Sequence, residues 1–260
     1  MSLRVLEAFK FRRRNTVIHL LDPRSKFMLL VAFTGASLML SDPVTLTVLL
    51  IGELIVLAVA KAVREWQRSL RGFSLILIMV FVLNYLSLPS NKLFTSLAMT
   101  IRFIALTTAF SIFFLTTTPD ELALALEASG VPRDYTLMFT MSLRFVPTLA
   151  RDLQVVADAL MSRGLELERG GIRDRVRNYV YLLVPLIVYE LRRSLMIAEA
   201  LEARGFGLSK RVEPYHELRF RLPDYAITIL SLALLLALAY AHLSGYYARV
   251  LEYLLQLPWP

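Results

Sequence analysis

Apolar residues gather in five long runs poor in lysine and arginine, at about 27–41, 44–60, 73–88, 97–117 and 225–244. Each is roughly 15–21 residues, or roughly 22–32 Å as helix, against a bilayer hydrocarbon core of about 30 Å. The first three are short, and a turn borrowed from each flank brings them to spanning length. No stretch alternates apolar and polar residues in the manner of a strand, so the chain is expected to be all-α. Punctuation agrees with the run boundaries. Asp22-Pro23, Asp42-Pro43, Thr118-Pro119 and Leu222-Pro223 each set a proline just inside a new helix, where its missing N–H costs nothing. Three of these pairs supply Asp or Thr as a cap, and Asp120-Glu121 follow Pro119 in the first turn, where the helix dipole favours acid. Ser41-Asp42-Pro43 leaves room only for a tight turn, so the first two spans form a helical hairpin.

Between the fourth and fifth runs lies a different pattern, about 118–223. A short helix from Pro119 to Ser129 stops at Gly130, and Pro132 opens a long one over about 133–163. Met138, Met141, Phe145, Leu149, Leu153, Val156 and Leu160 recur on it at steps of three and four, which puts them on one face. Arg144, Thr148, Arg151, Gln154 and Asp158 line another face, and Pro147 is expected to bend the helix. Glu166 to Arg177, charged and containing Gly170-Gly171, reads as an exposed loop. A second long helix then runs from the apolar Tyr179–Tyr189 stretch, too short to span, to Arg204.

Composition turns this pattern into a membrane protein. Hydrophobic residues make up 57% and charged residues 19% of 260, and mean hydropathy is +0.57; soluble domains hold about a quarter charged residues. One compact body of this size could not bury so much apolar surface. The same figures exclude disorder, and the absence of cysteine excludes a disulfide scaffold, thiolate metal sites and cysteine nucleophiles.

The net charge of +8 raises the question of nucleic acid, which its distribution answers. Residues 1–26 carry seven Lys and Arg, and the 61–72 segment, read as a loop, carries Lys61, Arg64, Arg68 and Arg71. The turn at 42–43 has none, and 89–96 has only Lys92. An N-terminus in the cytoplasm satisfies the positive-inside rule at every crossing. The 118–223 insert, with fifteen basic residues from Arg133 to Arg221, then also lies inside. Basicity here reports topology, and no nucleic-acid partner is expected. The first 26 residues lack the apolar core of a cleavable signal peptide, so insertion by the first span in the cell membrane is expected.

The two long helices of the insert end alike. Residues 157–164 read Ala-Asp-Ala-Leu-Met-Ser-Arg-Gly, and residues 198–205, forty-one positions later, read Ala-Glu-Ala-Leu-Glu-Ala-Arg-Gly, with five of eight identical. Gly just past a helix end and Arg in the last turn are ordinary capping chemistry. Capping does not require the preceding Ala-acid-Ala-Leu to recur. Two matched tips, Ser162-Arg163-Gly164 and Ala203-Arg204-Gly205, suit docking into two equivalent pockets, with Arg making directed, charge-assisted hydrogen bonds. A two-fold partner is implied.

With these residues in view, the chain resembles the transmembrane coupling subunit, or T component, of energy-coupling-factor transporters, the group that includes the cobalt-type permease subunit. The resemblance rests on His19-Leu20-Leu21-Asp22-Pro23-Arg24-Ser25-Lys26, Thr117-Thr118-Pro119-Asp120-Glu121-Leu122, Leu143-Arg144-Phe145-Val146-Pro147 and the two small-Arg-Gly tips, in that order. The family's tips are typically Ala-Arg-Gly, from which Ser162 departs. The resemblance implies crossing coupling helices whose tips each enter a groove on one of two ABC-type ATPases, identical or different. It also implies apolar helix faces that hold a separate membrane-embedded substrate-binding subunit; Met138, Met141, Phe145, Leu149 and Leu153 are the contacts expected there. Closing and opening of the ATPase pair would tilt that subunit and carry a vitamin or transition-metal ion inward, with Arg163 and Arg204 transmitting force.

No cofactor, resident metal or catalytic residue is expected. None of the five lysines follows a glycine, so the phosphate-cradling GxxxxGK[ST] loop is absent from the sequence. His216-Glu217 begins like HExxH, but Phe220 stands where the second zinc ligand belongs, and His19, His216 and His242 are scattered. The competing reading, a membrane enzyme acting on lipid or isoprenoid substrates, needs clustered acids or histidines at the membrane face that the sequence does not supply. Glu53, midway along the second run, is costly in lipid unless paired, protonated or facing a cavity. Pairing with Arg102 or Asn84 is the expected solution, with an ion relay as the alternative. The tail from Gly245 to Pro260, with Tyr246, Tyr247, Tyr253 and Trp259, reads as an interfacial helix. The expected organisation is 1–117 as an N-terminal segment with four spans, 118–223 as coupling helices, and 224–260 as the fifth span with its tail.

Overall fold

The computed structural model describes residues 16, 18–87, 92–166, 170–208 and 220–244. The N-terminal basic segment, the His216-Glu217 pair and the aromatic tail lie outside the described residues. Eight helices and no strand occur among those described: α1 (Pro23–Met39), α2 (Pro43–Val59), α3 (Val63–Ser87), α4 (Lys92–Thr116), α5 (Pro119–Ala128), α6 (Arg133–Ser162), α7 (Ile172–Ala203) and α8 (Leu222–Leu243). They fall into two compact units. Helices α1–α5 and α8 make one, and α6 with α7 makes the other. The division falls at Pro132, so α5 shares a compact unit with α1–α4 and α8 and packs on α1.

The caps anticipated from the proline pairs are present. Asp22 accepts from the Arg24 N–H (3.0 Å) and Asp42 from the Thr45 N–H (2.8 Å). Thr118 and Glu121 form a reciprocal capping box, each side chain accepting from the other's backbone N–H at 3.1 and 3.2 Å. Two boundaries differ from expectation. The third helix begins at Val63, ten residues before its apolar run, so 63–72 is helix and not loop. Trp66 explains this: its indole N–H donates to Thr108 Oγ1 on α4 at 3.0 Å, which ties the polar first turns to the bundle. The expected loop at 166–177 is also shorter, because α7 starts at Ile172 and Asp174 accepts from the Gly171 N–H at 3.3 Å.

In the membrane unit α1 and α4 are central. Helix α8 packs along α1, α2 lies against α4, and α3 is outermost, resting on α4 with a slight contact to α2. Ile18, Leu21, Phe33, Leu57, Ala60, Ala62, Ala109 and Ile112 form the main buried cluster, while Leu40, Leu46 and Ala98 form a smaller one. A Cβ added at Gly35 would stand 2.7 Å from Leu235 Cδ2, so the missing side chain is what lets α8 approach α1. Outward-facing positions are apolar, as on α3, where Leu75, Ile78 and Leu86 are exposed. By length and composition α3, α4 and α8 can cross a membrane. Helix α2, with 17 residues and a length of about 25 Å, is apolar but shorter, and α1 has the same length with Arg24 and Lys26 in its first turn.

The His19–Lys26 segment ties the ends of four helices together. Lys26 is 3% exposed, and its ammonium donates to the carbonyls of His19 (3.1 Å) and Thr116 (2.8 Å), with Glu121 Oε2 3.8 Å away. A cation thereby occupies the carbonyl end of α4, where the helix dipole favours it. Asp224, equally buried, accepts from the backbone N–H groups of Asp22 (2.7 Å) and Arg221 (2.8 Å), and Ser25 meets Thr228 at 3.2 Å. Arg24 lies over the Phe220 ring at 5.9 Å.

The expected partners of Glu53 are engaged elsewhere. Arg102 donates to the Leu40 carbonyl (2.6 Å) and contacts the Met99 sulfur, and Asn84 donates to the Val80 carbonyl. Glu53 is fully buried, and neither carboxyl oxygen has a hydrogen-bond partner among the described residues. Their donors go instead to the carbonyl at the end of α1 and to the carbonyl one turn back in α3.

Candidate functional site

The α6–α7 unit carries the site residues. Both helices end in the same backbone device. At the first tip Gly164 takes φ +89°, its N–H donates to the Met161 carbonyl (3.0 Å), and the Leu165 N–H donates to the Leu160 carbonyl (3.0 Å). At the second, Gly205 takes φ +82°, with Gly205 N–H to Glu202 (2.9 Å) and Phe206 N–H to Leu201 (3.0 Å). This paired pattern is the Schellman motif, which needs a left-handed residue at the first position past the cap. Backbone groups therefore close both helix ends without help from side chains. Arg163 and Arg204, the two cap residues, are exposed, and neither guanidinium has a partner among the described residues. Ser162 and Ala203 are exposed beside them. The arginines are thus released from capping, and their exposed donors are engaged by none of the described residues.

The forty-one-residue repeat reaches further back than the tips. Asp152 on α6 accepts from Arg193 on α7 at 2.5 Å, and Glu190 accepts from the same nitrogen at 3.3 Å. Asp152 and Arg193 are themselves forty-one residues apart, so equivalent points of the two helices meet. Arg163 and Arg204 each lie eleven residues beyond that meeting point, about 16 Å along the helix. Two rods touching at equivalent points can be exchanged by a two-fold axis through the contact, and the tips go with them. The hydrogen bond it donates to Asp152 raises the pKa of Arg193 above its ordinary value, and the Tyr189 ring stacks under the guanidinium at 5.7 Å.

The apolar residues assigned to a membrane partner are divided in exposure. Met138 is 64% exposed and Leu149 is exposed, whereas Met141, Phe145 and Leu153 are half-buried. Helix α6 runs unbroken through Pro147, and α7 through Pro185. The apolar Tyr179–Tyr189 stretch lies on α7, where Val180, Leu183, Val184, Ile187, Val188 and Leu191 are all exposed; the sequence reading expected an apolar face there but named none of these residues. It missed the Asp152–Arg193 contact, for which the repeat spacing was the signal.

Fold and site together define a helical integral membrane protein that displays two matched, arginine-tipped helices in a unit of their own. The profile of the cobalt transport protein family, CbiQ, matches residues 14–215, and the chain belongs to that family. Similar proteins include three described as the energy-coupling factor transporter transmembrane protein EcfT. That of Thermosediminibacter oceani is 30% identical over 83% of this chain and 89% of its own length. The Acidaminococcus fermentans protein is 27% identical, over 87% and 92%, and the Bacillus subtilis protein 26% identical, over 89% and 96%.

Proposed function

We propose that this chain is the energy-coupling subunit of an ATP-driven importer for a vitamin or transition-metal ion. Two cytoplasmic ABC-type ATPases dock on Ser162-Arg163-Gly164 and Ala203-Arg204-Gly205, and a separate membrane subunit that binds the substrate sits on the apolar faces of α6 and α7. The observation that carries the reading is the pair of identical Schellman ends with unengaged arginines, equidistant from a contact between equivalent positions. An ATPase dimer is two-fold, and a matched pair of tips is what it can grip. When the ATPases close, their grooves approach, and force enters through Arg163 and Arg204. The Asp152–Arg193 contact then acts as the fulcrum, and the half-exposed methionines of α6 supply a surface that repacks easily.

In this reading α1 and α2 also cross the cell membrane, giving five spans with the N-terminus in the cytoplasm. The chain contributes no ATP site of its own and transmits work done elsewhere. Purification of the full chain tests this division of labour. Alone it should bind no vitamin or metal ion and hydrolyse no ATP; with the ATPases and substrate subunit of the same organism, ATP-dependent uptake into proteoliposomes should appear. Substrate binding by the isolated chain would point instead to a self-contained transporter.

A further inference from the structure

The outward face of α3 changes character along its length, and the change marks a level in the bilayer. Trp66 fixes the rotation of this helix by its bond to Thr108 on α4. At about 100° per residue, Arg64, Arg68 and Arg71 lie at about 160°, 200° and 140° from Trp66, a narrow arc on the side away from the bundle. All three are exposed, and none has a side-chain partner among the described residues. Continuing along the same arc, Leu75, Ile78, Val82 and Leu86 are all exposed and apolar. The arginine segment covers about 10 Å and the apolar segment about 16 Å. Among the described residues, no other helix of the unit lies beyond α3 to cover this face.

Arg64 also sits where its own helix disfavours it, in the first turn of α3. That turn carries partial positive charge, and a cation there is destabilising by as much as an anion is stabilising. Glu65 is the single acid in α3, and it stands about 100° back from Trp66, off the arginine arc. Among the described residues no acidic side chain pairs with these three guanidiniums, which leaves them open to an external anion. The apolar stripe directly below them says where that anion is, at the headgroup layer of the lipid in contact with the stripe.

We infer that Arg64, Arg68 and Arg71 form a binding site for the phosphate of an anionic phospholipid, whose acyl chains run along Leu75, Ile78, Val82 and Leu86. The guanidinium plane matches a phosphate diester bidentately, and juxtamembrane cations contribute additively to anionic-lipid attraction. The site anchors the outermost helix at a fixed depth and is separate from the α6–α7 tips.

Native mass spectrometry of the detergent-purified full chain, titrated with phosphatidylglycerol or phosphatidylcholine, measures the preference directly. Wild type should retain phosphatidylglycerol in preference to phosphatidylcholine. Each arginine removed should lower that preference roughly fivefold, so R64Q/R68Q/R71Q should lose it, whereas R64K/R68K/R71K keeps most of it and R173Q all of it. If the triple glutamine chain unfolds, Arg68→Gln alone still gives the roughly fivefold step. Undiminished preference in the glutamine variants overturns the site. Displacement of the lipid by millimolar inorganic phosphate would also overturn it, since the ligand would then be a free anion. So would loss of ATPase capture with lipid preference intact, because the face would then belong to a protein partner.

Discussion

If the meeting of Asp152 and Arg193 sets the angle between α6 and α7, breaking it should move the tips by an amount the helix lengths dictate. Each tip is a lever of eleven residues, about 16 Å, so one degree of change in the interhelical angle swings a tip by about 0.3 Å. Helix pairs of a given packing class scatter by about 15–20°, and a pair freed of its directing contact should explore that range, spreading the tip separation by about 5 Å. Asp152→Asn is the gentlest perturbation. It keeps shape and one acceptor but removes the charge, and Glu190 at 3.3 Å still gives Arg193 an ion-pair partner within α7. The chain has no cysteine, so Ser162→Cys with Ala203→Cys accepts two spin labels without background. Pulsed electron–electron dipolar spectroscopy should give one narrow distance distribution for the wild-type background and a broadened one for Asp152→Asn. The swap Asp152→Arg with Arg193→Asp should narrow it again. Because both side chains are partly exposed, molar salt should broaden the wild-type distribution as well. Equal widths for wild type and Asp152→Asn would refute the fulcrum.

Further consequences can be checked separately. Lys26→Met removes the ammonium from the Thr116 and His19 carbonyls and from beside Glu121, so the detergent-solubilised chain should lose about 3 kcal/mol against unfolding; an unchanged Tm would deny the lysine its role. Gly164→Ala and Gly205→Ala force a Cβ into left-handed φ with no serious clash nearby, costing about 1 kcal/mol at each tip. Hydrogen exchange at the Leu165 and Phe206 amides should accelerate about fivefold, and less with Asn, which tolerates that conformation; equal rates in all variants would argue against Schellman closure. Glu53→Gln, neutral and nearly isosteric, should leave assembly and uptake unchanged, whereas loss of uptake with assembly intact would put Glu53 on an ion path.

The sequence carried the helix starts well, because Pro with Asp or Thr is local chemistry that needs no tertiary partner. It carried the ends of α6 and α7 for a related reason, since Gly just past Arg is local capping chemistry. It failed where stability comes from across the fold. Residues 63–72 looked like a loop because their charge breaks the apolar run, and nothing local announces that Trp66 finds Thr108. Glu53 was paired on paper with Arg102 and Asn84, yet each satisfies itself within its own or a neighbouring helix end. The knot around Lys26 draws on Thr116, Glu121 and Asp224, which no spacing rule connects. Asp152 and Arg193 share the repeat interval, but the repeat identity lies in other residues, so the interval alone did not say that these two touch.

The docking claim is tested most directly by capturing ABC ATPases on the tagged membrane protein, comparing wild type, Arg163→Glu, Arg204→Glu and the double variant. The account predicts graded loss, with each single variant retaining part of the ATPase and the double variant none. A double variant that holds its ATPases as firmly as wild type would contradict it and return both arginines to the role of exposed helix caps.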